Sequence, residues 1–67
     1  MKIFAERINE LRTEKELNKG SLAQAVGVDN YTITRWESGL VIPNAEHLKR
    51  LAIFFNVSTD YLVGLAD

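Results

Sequence analysis

An all-α fold of five short helices is predicted by three observations. One cap-and-staple pattern recurs four times, an amphipathic stretch opens the chain, and no segment reads as a strand. The recurring pattern is an apolar residue, then a capping residue, then a second apolar residue five positions after the first. It occurs as Leu17, Asn18 and Leu22; Val28, Asp29 and Ile33; Pro43, Asn44 and Leu48; and Val57, Ser58 and Leu62. Each instance marks a helix start, because the Asn, Asp or Ser oxygen accepts an otherwise unpaired N–H of the first turn while the apolar pair packs as a staple. Pro43 makes the weakest staple. No instance carries Glu or Gln at the third helical position, so these are caps without the reciprocal half of a capping box.

Taken in order, Phe4, Ile8 and Leu11 recur at i, i+4 and i+7, which predicts an opening amphipathic helix over about residues 2–15. The four caps then start helices two to five. Gly27, Gly39, Asn56 and Gly64 stop them, all residues that tolerate the left-handed backbone found just past a helix end. The one extended apolar run, Leu40, Val41 and Ile42, is cut short by Pro43 and reads as a loop. No linker or low-complexity segment divides the 67 residues, so a single domain over 1–67 is expected.

A domain of this size buries roughly 60% of the surface its unfolded chain exposes, so its core must be well packed. The composition, 46% hydrophobic and 25% charged, is that of a globular chain. With no cysteine and one histidine, neither a disulfide framework nor a metal site is expected, and no cofactor motif is present. No nucleophile, phosphate-binding glycine loop or histidine-base constellation supports an enzyme. The absence of a long apolar span or a signal-like start gives the expectation of a cytoplasmic protein without membrane contact. Eight basic and nine acidic side chains leave a net charge of −1, so any affinity for nucleic acid must rest on local charge.

The second and third helices, about residues 19–26 and 30–38, are joined by Gly27, Val28 and Asp29. This is helix-turn-helix spacing over about 19–38. Ala23 permits close approach, Gly27 permits the sharp turn, and Val28, Ile33 and Trp36 are expected to pack inward. That leaves Tyr31, Thr34, Arg35 and Ser38 on an outward stripe of the third helix. By itself the stripe fits a surface helix kept for packing as well as one that presents hydrogen-bonding groups to base edges and phosphates.

The segments FAERINELR, LNKGSLAQAVGVDNYTITRWESG and LKRLAIFFNVSTDYLVG together resemble the phage Cro and repressor-like helix-turn-helix domains of the XRE family, in family order and over nearly the whole chain. The resemblance implies a lambda repressor-like five-helix bundle that binds double-stranded DNA. Its third helix would lie in the major groove, usually as a homodimer on a palindromic operator. By position, it implies base contacts from Asn30, Tyr31 and Arg35 and backbone contacts from Lys19, Thr32, Thr34 and Ser38. It also implies a structural ion pair between Arg12 and Glu37.

Three departures bear on function, the first being Lys19 where the family commonly has a glutamine. Asp29 stands where Ser or Thr is usual, which puts a negative charge near the expected phosphate path. The loop of Leu40, Val41 and Ile42 is apolar where many relatives are polar or basic. The latter two leave open a second reading, a helix-turn-helix scaffold that binds another regulator instead of DNA. The apolar residues expected outside the core, and hence at a dimer interface, are Leu40, Val41, Ile42, Ile53, Phe54 and Leu65. Trp36 and Phe55 are assigned to packing, and His47 to the surface or the capping turn of the fourth helix. The acidic residues of the first helix, interleaved with Arg7, Arg12 and Lys15, are expected on a solvated face.

Overall fold

The computed structural model describes residues 1–67 as five helices: α1 (Lys2–Glu14), α2 (Lys19–Val26), α3 (Asn30–Ser38), α4 (Ala45–Phe55) and α5 (Thr59–Val63). This is the all-α architecture that the cap pattern predicts. In each of α2 to α5 the capping oxygen accepts the N–H of the third helical residue: Asn18 from Ser21, Asp29 from Thr32 and Asn44 from His47, each at 2.8 Å, and Ser58 from Tyr61 at 2.9 Å. Gly27, Gly39, Asn56 and Gly64 end these helices in the left-handed conformation.

The end of α1 carries no such signal in the sequence. There Glu16, a non-glycine residue, takes a positive φ of 57°. The N–H of Glu16 bonds the carbonyl of Thr13 at 2.9 Å and that of Leu17 bonds Arg12 at 3.1 Å, the paired closure of a Schellman motif. These bonds satisfy carbonyls that the helix end would otherwise leave open.

The core is built from the inward faces of all five helices. Phe4, Ile8, Leu22, Ile33, Leu51 and Leu62 are fully buried, with Ala23, Val26, Trp36, Ala52 and Phe55 beside them. Trp36 of α3 meets the Phe4 ring edge-on, with centroids 6.2 Å apart, and His47 tilts over it at 5.7 Å. His47 therefore packs on the core rim as well as standing in the first turn of α4. No side-chain polar atom is buried without a partner. The radius of gyration, 10.4 Å, matches the roughly 11 Å expected of a folded unit of this length. No helix is long and apolar enough to cross a membrane.

Two arginines join elements through contacts that leave no local signal in the sequence. Arg7 was expected on a solvated face, yet it is half-buried. Its guanidinium donates to the carbonyls of Tyr61 and Ala66, the latter at 2.6 Å, and lies 4.2 Å over the Tyr61 ring. It thereby ties α1 to α5 and the segment after it. Arg50 of α4 reaches the carbonyl of Val26, the last residue of α2, at 3.3 Å. The φ of Gly27, +79°, calls for glycine there, whereas a Cβ would meet only the mobile tip of Arg50, at 2.8 Å.

The dimer candidates divide. Leu40, Ile42, Ile53 and Leu65 are exposed, whereas Val41 and Phe54 are half-buried and pack against the core. Phe54 sits edge-on to Phe55 with centroids 5.1 Å apart, and the Lys15 ammonium lies 5.7 Å above its ring.

Candidate nucleic-acid interface

The buried pair Ile33 and Trp36 fixes which way α3 faces, since both lie on its inward side. Tyr31, Thr34, Arg35 and Ser38 consequently stand on the outer side and are exposed. The three-residue turn between α2 and α3 brings the start of α2 beside this face. From there the Lys19 ammonium reaches to 3.4 Å of the Thr34 hydroxyl. Asn30 leans the same way. A Cβ added at Gly20 would lie 3.5 Å from the Asn30 side-chain oxygen and 3.4 Å from that of Asn18, so the Asn30 amide lies over the first turn of α2. Neither Gly20 nor this closeness was foreseen in the sequence.

The hydroxyls expected to bond phosphates do not all point outward. Thr34 faces solvent beside Lys19. Thr32 donates its hydroxyl proton to the Asp29 carboxylate at 2.7 Å, and Ser38 donates its own to the carbonyl of Arg35 at 2.5 Å. The Ser38 oxygen also accepts the N–H of Leu40 at 3.2 Å, so this side chain closes the end of α3. In the chain without DNA the Thr32 and Ser38 protons serve the two ends of the helix.

Arg35 and Tyr31 are in contact one turn apart. The Arg35 Nη1 donates to the Tyr31 hydroxyl at 3.0 Å, and its guanidinium carbon lies 5.5 Å from the ring centroid.

Behind this face an ion pair locks α3 to α1. Arg12 Nε and Nη2 donate to the two carboxylate oxygens of Glu37 at 2.7 and 3.1 Å, and Arg12 Nη1 donates to the carbonyl of Leu17 at 2.8 Å. Asn9 adds a third donor to Glu37 at 3.0 Å. The Glu37 side chain is 7% exposed and that of Arg12 16%. Burial pushes the Glu37 carboxyl up, but the hydrogen bonds from Arg12 and Asn9 and the charges of Arg12 and Lys19 outweigh it and leave the pKa below the ordinary value. Hydrogen bonding to Glu37 in turn raises Arg12, against a smaller effect of burial. At the other end of the helix, the Thr32 hydroxyl and N–H hold the exposed Asp29 carboxyl below its usual value, so it stays charged at neutral pH. No cluster of side chains could hold a metal ion.

The helix-turn-helix family model matches residues 8–62. The chain belongs to the phage Cro/repressor-like (XRE) helix-turn-helix family. This XRE-family chain is 42% identical over 61 residues to the HTH-type transcriptional activator BcrR of Enterococcus faecalis, a match covering 91% of this chain and 30% of that protein. It is 34% identical over 62 residues to the cryptic phage CTXphi transcriptional repressor RstR of Vibrio cholerae, covering 92% and 56%. The chain thus spans between about a third and about half the length of these two relatives. Among solved structures it resembles the P22 c2 repressor in complex with a synthetic operator, with a TM-score of 0.86 and 34% identity over 92% of this chain and 94% of that one. A transcriptional regulator from Listeria innocua gives a TM-score of 0.87 at 36% identity, covering 96% and 60%.

Proposed function

We propose that this chain is a sequence-specific DNA-binding regulator of transcription that inserts α3 into the major groove of a palindromic operator as a homodimer. The observation that carries this reading is the outer face of α3. Tyr31, Thr34 and Arg35 stand exposed on a helix whose inner side is locked by Ile33, Trp36 and the Arg12–Glu37 pair, with Lys19 and Asn30 drawn to the same side. A rigid support under hydrogen-bonding side chains is what base reading needs, because those groups must meet base edges in a fixed register. The likeness to an operator-bound phage repressor over 92% of the chain supports it.

Within this reading Asn30, Tyr31 and Arg35 face bases, while Lys19 and Thr34 hold the backbone. Two subunits would present their α3 helices about 34 Å apart, one turn of the duplex. Repression by occupying an operator is the favoured mode, in line with the two phage repressors; the activator BcrR is matched over a smaller share of its length. The chain acts by binding, as a regulator without catalysis.

Lys19 and Arg35 test the reading. After selection of bound DNA from a random library, Arg35→Ala should relax specificity at one position per half-site, by the roughly 1 to 3 kcal/mol of a bidentate base contact. Lys19→Ala should weaken all sequences alike and reduce the salt slope by about one unit per protomer. Equal losses across all single-base variants for Arg35→Ala would remove it as a base reader. No selected DNA at all would favour the second reading, a protein-interaction module, to which the net charge of −1 and the exposed Leu40 and Ile42 also point.

A further inference from the structure

The geometry points to Tyr31 as the residue that positions Arg35 for reading guanine, so that the two side chains act as one unit instead of as two independent base contacts. This inference rests on the DNA-binding reading above and adds to it which base is read and by which edge of the guanidinium.

Side chains on an α-helix lean toward its N-terminus, so residue i+4 covers the turn that carries residue i. Arg35 accordingly lies back over Tyr31, with Nη1 3.0 Å from the phenol oxygen and the guanidinium carbon 5.5 Å from the ring centroid. Although it belongs to the last turn of α3, its charged group is carried toward the helix's N-terminal half. That is the end that presents residues to base edges in helix-turn-helix docking.

The contact also leaves one edge free. A guanidinium has five N–H donors in a fixed plane. With Nη1 engaged by Tyr31, the Nε and Nη2 donors remain as a parallel pair on the opposite edge. Two parallel donors fit the O6 and N7 acceptors of guanine in the major groove, whereas adenine offers one acceptor beside a donor. The Tyr31 oxygen accepts from Arg35, so its own proton needs no partner within the pair and imposes no competing demand on that edge.

The contact matters because a solvated arginine is otherwise mobile. Its rotamer freedom must be given up on binding, which weakens any contact it makes. No carboxylate pairs with Arg35. Tyr31, with only two side-chain torsions, supplies both a flat surface and an acceptor, and so limits that freedom before DNA arrives.

The experiment uses the full chain and an operator obtained by selection from random duplexes. Wild type, Tyr31→Phe, Arg35→Ala and the double variant are titrated against the operator and its single-base variants. Tyr31→Phe keeps the ring and removes only the hydroxyl. It should lower the preference for guanine about threefold, as expected for one net hydrogen bond, at the same position where Arg35→Ala abolishes it. The double variant should lose no more than Arg35→Ala alone. A Tyr31→Phe loss at a different base position, a loss that adds fully to that of Arg35→Ala, or unchanged guanine preference would each overturn the proposal. A readout without DNA separates this inference from the wider reading: ¹⁵N relaxation of the Arg35 Nε in the free protein. Tyr31→Phe should increase its mobility, and unchanged relaxation would show that the hydroxyl positions nothing, whether or not the chain binds an operator.

Discussion

At the scale of single residues, Asp29 serves two demands that pull in opposite directions. Its carboxylate caps α3 by accepting both the N–H and the hydroxyl of Thr32, and it keeps its charge because those bonds favour the ionised form. The same negative charge stands at the edge of a face whose positive groups are Lys19 and Arg35. Asp29→Ser preserves a capping oxygen, so stability should change little. DNA affinity should rise, most at low salt, and the two proteins should converge as salt screens the carboxylate. Titration of both proteins over a salt series checks this, and identical affinities at low ionic strength would place the carboxylate away from the phosphates. Sequence position identified Asp29 as a cap with a charge to reckon with. It could not show that the Thr32 and Ser38 hydroxyls turn toward Asp29 and the Arg35 carbonyl, because rotation about one side-chain bond decides between helix and solvent.

At the scale of elements, the Arg12–Glu37 pair holds α3 against α1. Arg12→Ala should cost about 3 kcal/mol, since it leaves a nearly buried carboxylate with Asn9 as its remaining side-chain donor. Glu37→Ala should cost less, because the Arg12 guanidinium keeps the Leu17 carbonyl and lies closer to water. The pH dependence has a definite sign. The folded-state pKa of Glu37 is depressed, so its contribution is fully present above the unfolded carboxylate value of about 4 and is lost as pH falls through the lower folded value. Denaturant melts from pH 7 to pH 2 should therefore show a steeper acid loss in wild type than in Glu37→Gln; parallel curves would mean that the pair adds nothing. The helix starts were legible because each cap acts within three residues. The Arg12–Glu37 contact joins positions 25 apart and came from family resemblance. The Arg7 contacts with the Tyr61 and Ala66 carbonyls, 54 and 59 positions away, left no local signal. They exist only because the end of the chain folds back over α1.

At the scale of the whole molecule, self-association should rest on fewer residues than composition suggests. Leu40, Ile42, Ile53 and Leu65 are between 58% and 84% exposed, and a soluble chain that clusters such side chains tends to cover them. Ile53→Asp should abolish dimerisation and leave the melting of the monomer nearly unchanged, because the side chain already faces solvent. Phe54→Ala should instead lower stability, since that ring packs on the core. Sedimentation equilibrium with parallel thermal melts distinguishes the two, and a wild-type monomer at high concentration, with and without DNA, would end the dimer reading. The number of helices, their starts and the inward stripe of α3 were readable from residue spacing. Which apolar residues remain outside was not, because Val41 and Phe54 differ from Ile42 and Ile53 only by which side of the backbone the fold presents to the core.

The helix boundaries set out above also bear on how quickly the chain finds its structure. Four of the five helices begin at a cap that bonds three residues ahead, and four end in a backbone turn closed from five residues behind. Each such decision can be made by a short stretch before distant parts of the chain meet. Proteins dominated by contacts between near neighbours in sequence fold in microseconds to milliseconds, and temperature-jump relaxation of Trp36 fluorescence should place this chain in that range. A relaxation of seconds would show that long-range ties such as Arg7 to Tyr61 must form first. On the faster schedule, a newly made chain would complete its folding in far less time than its synthesis takes, at about 5 to 20 residues per second.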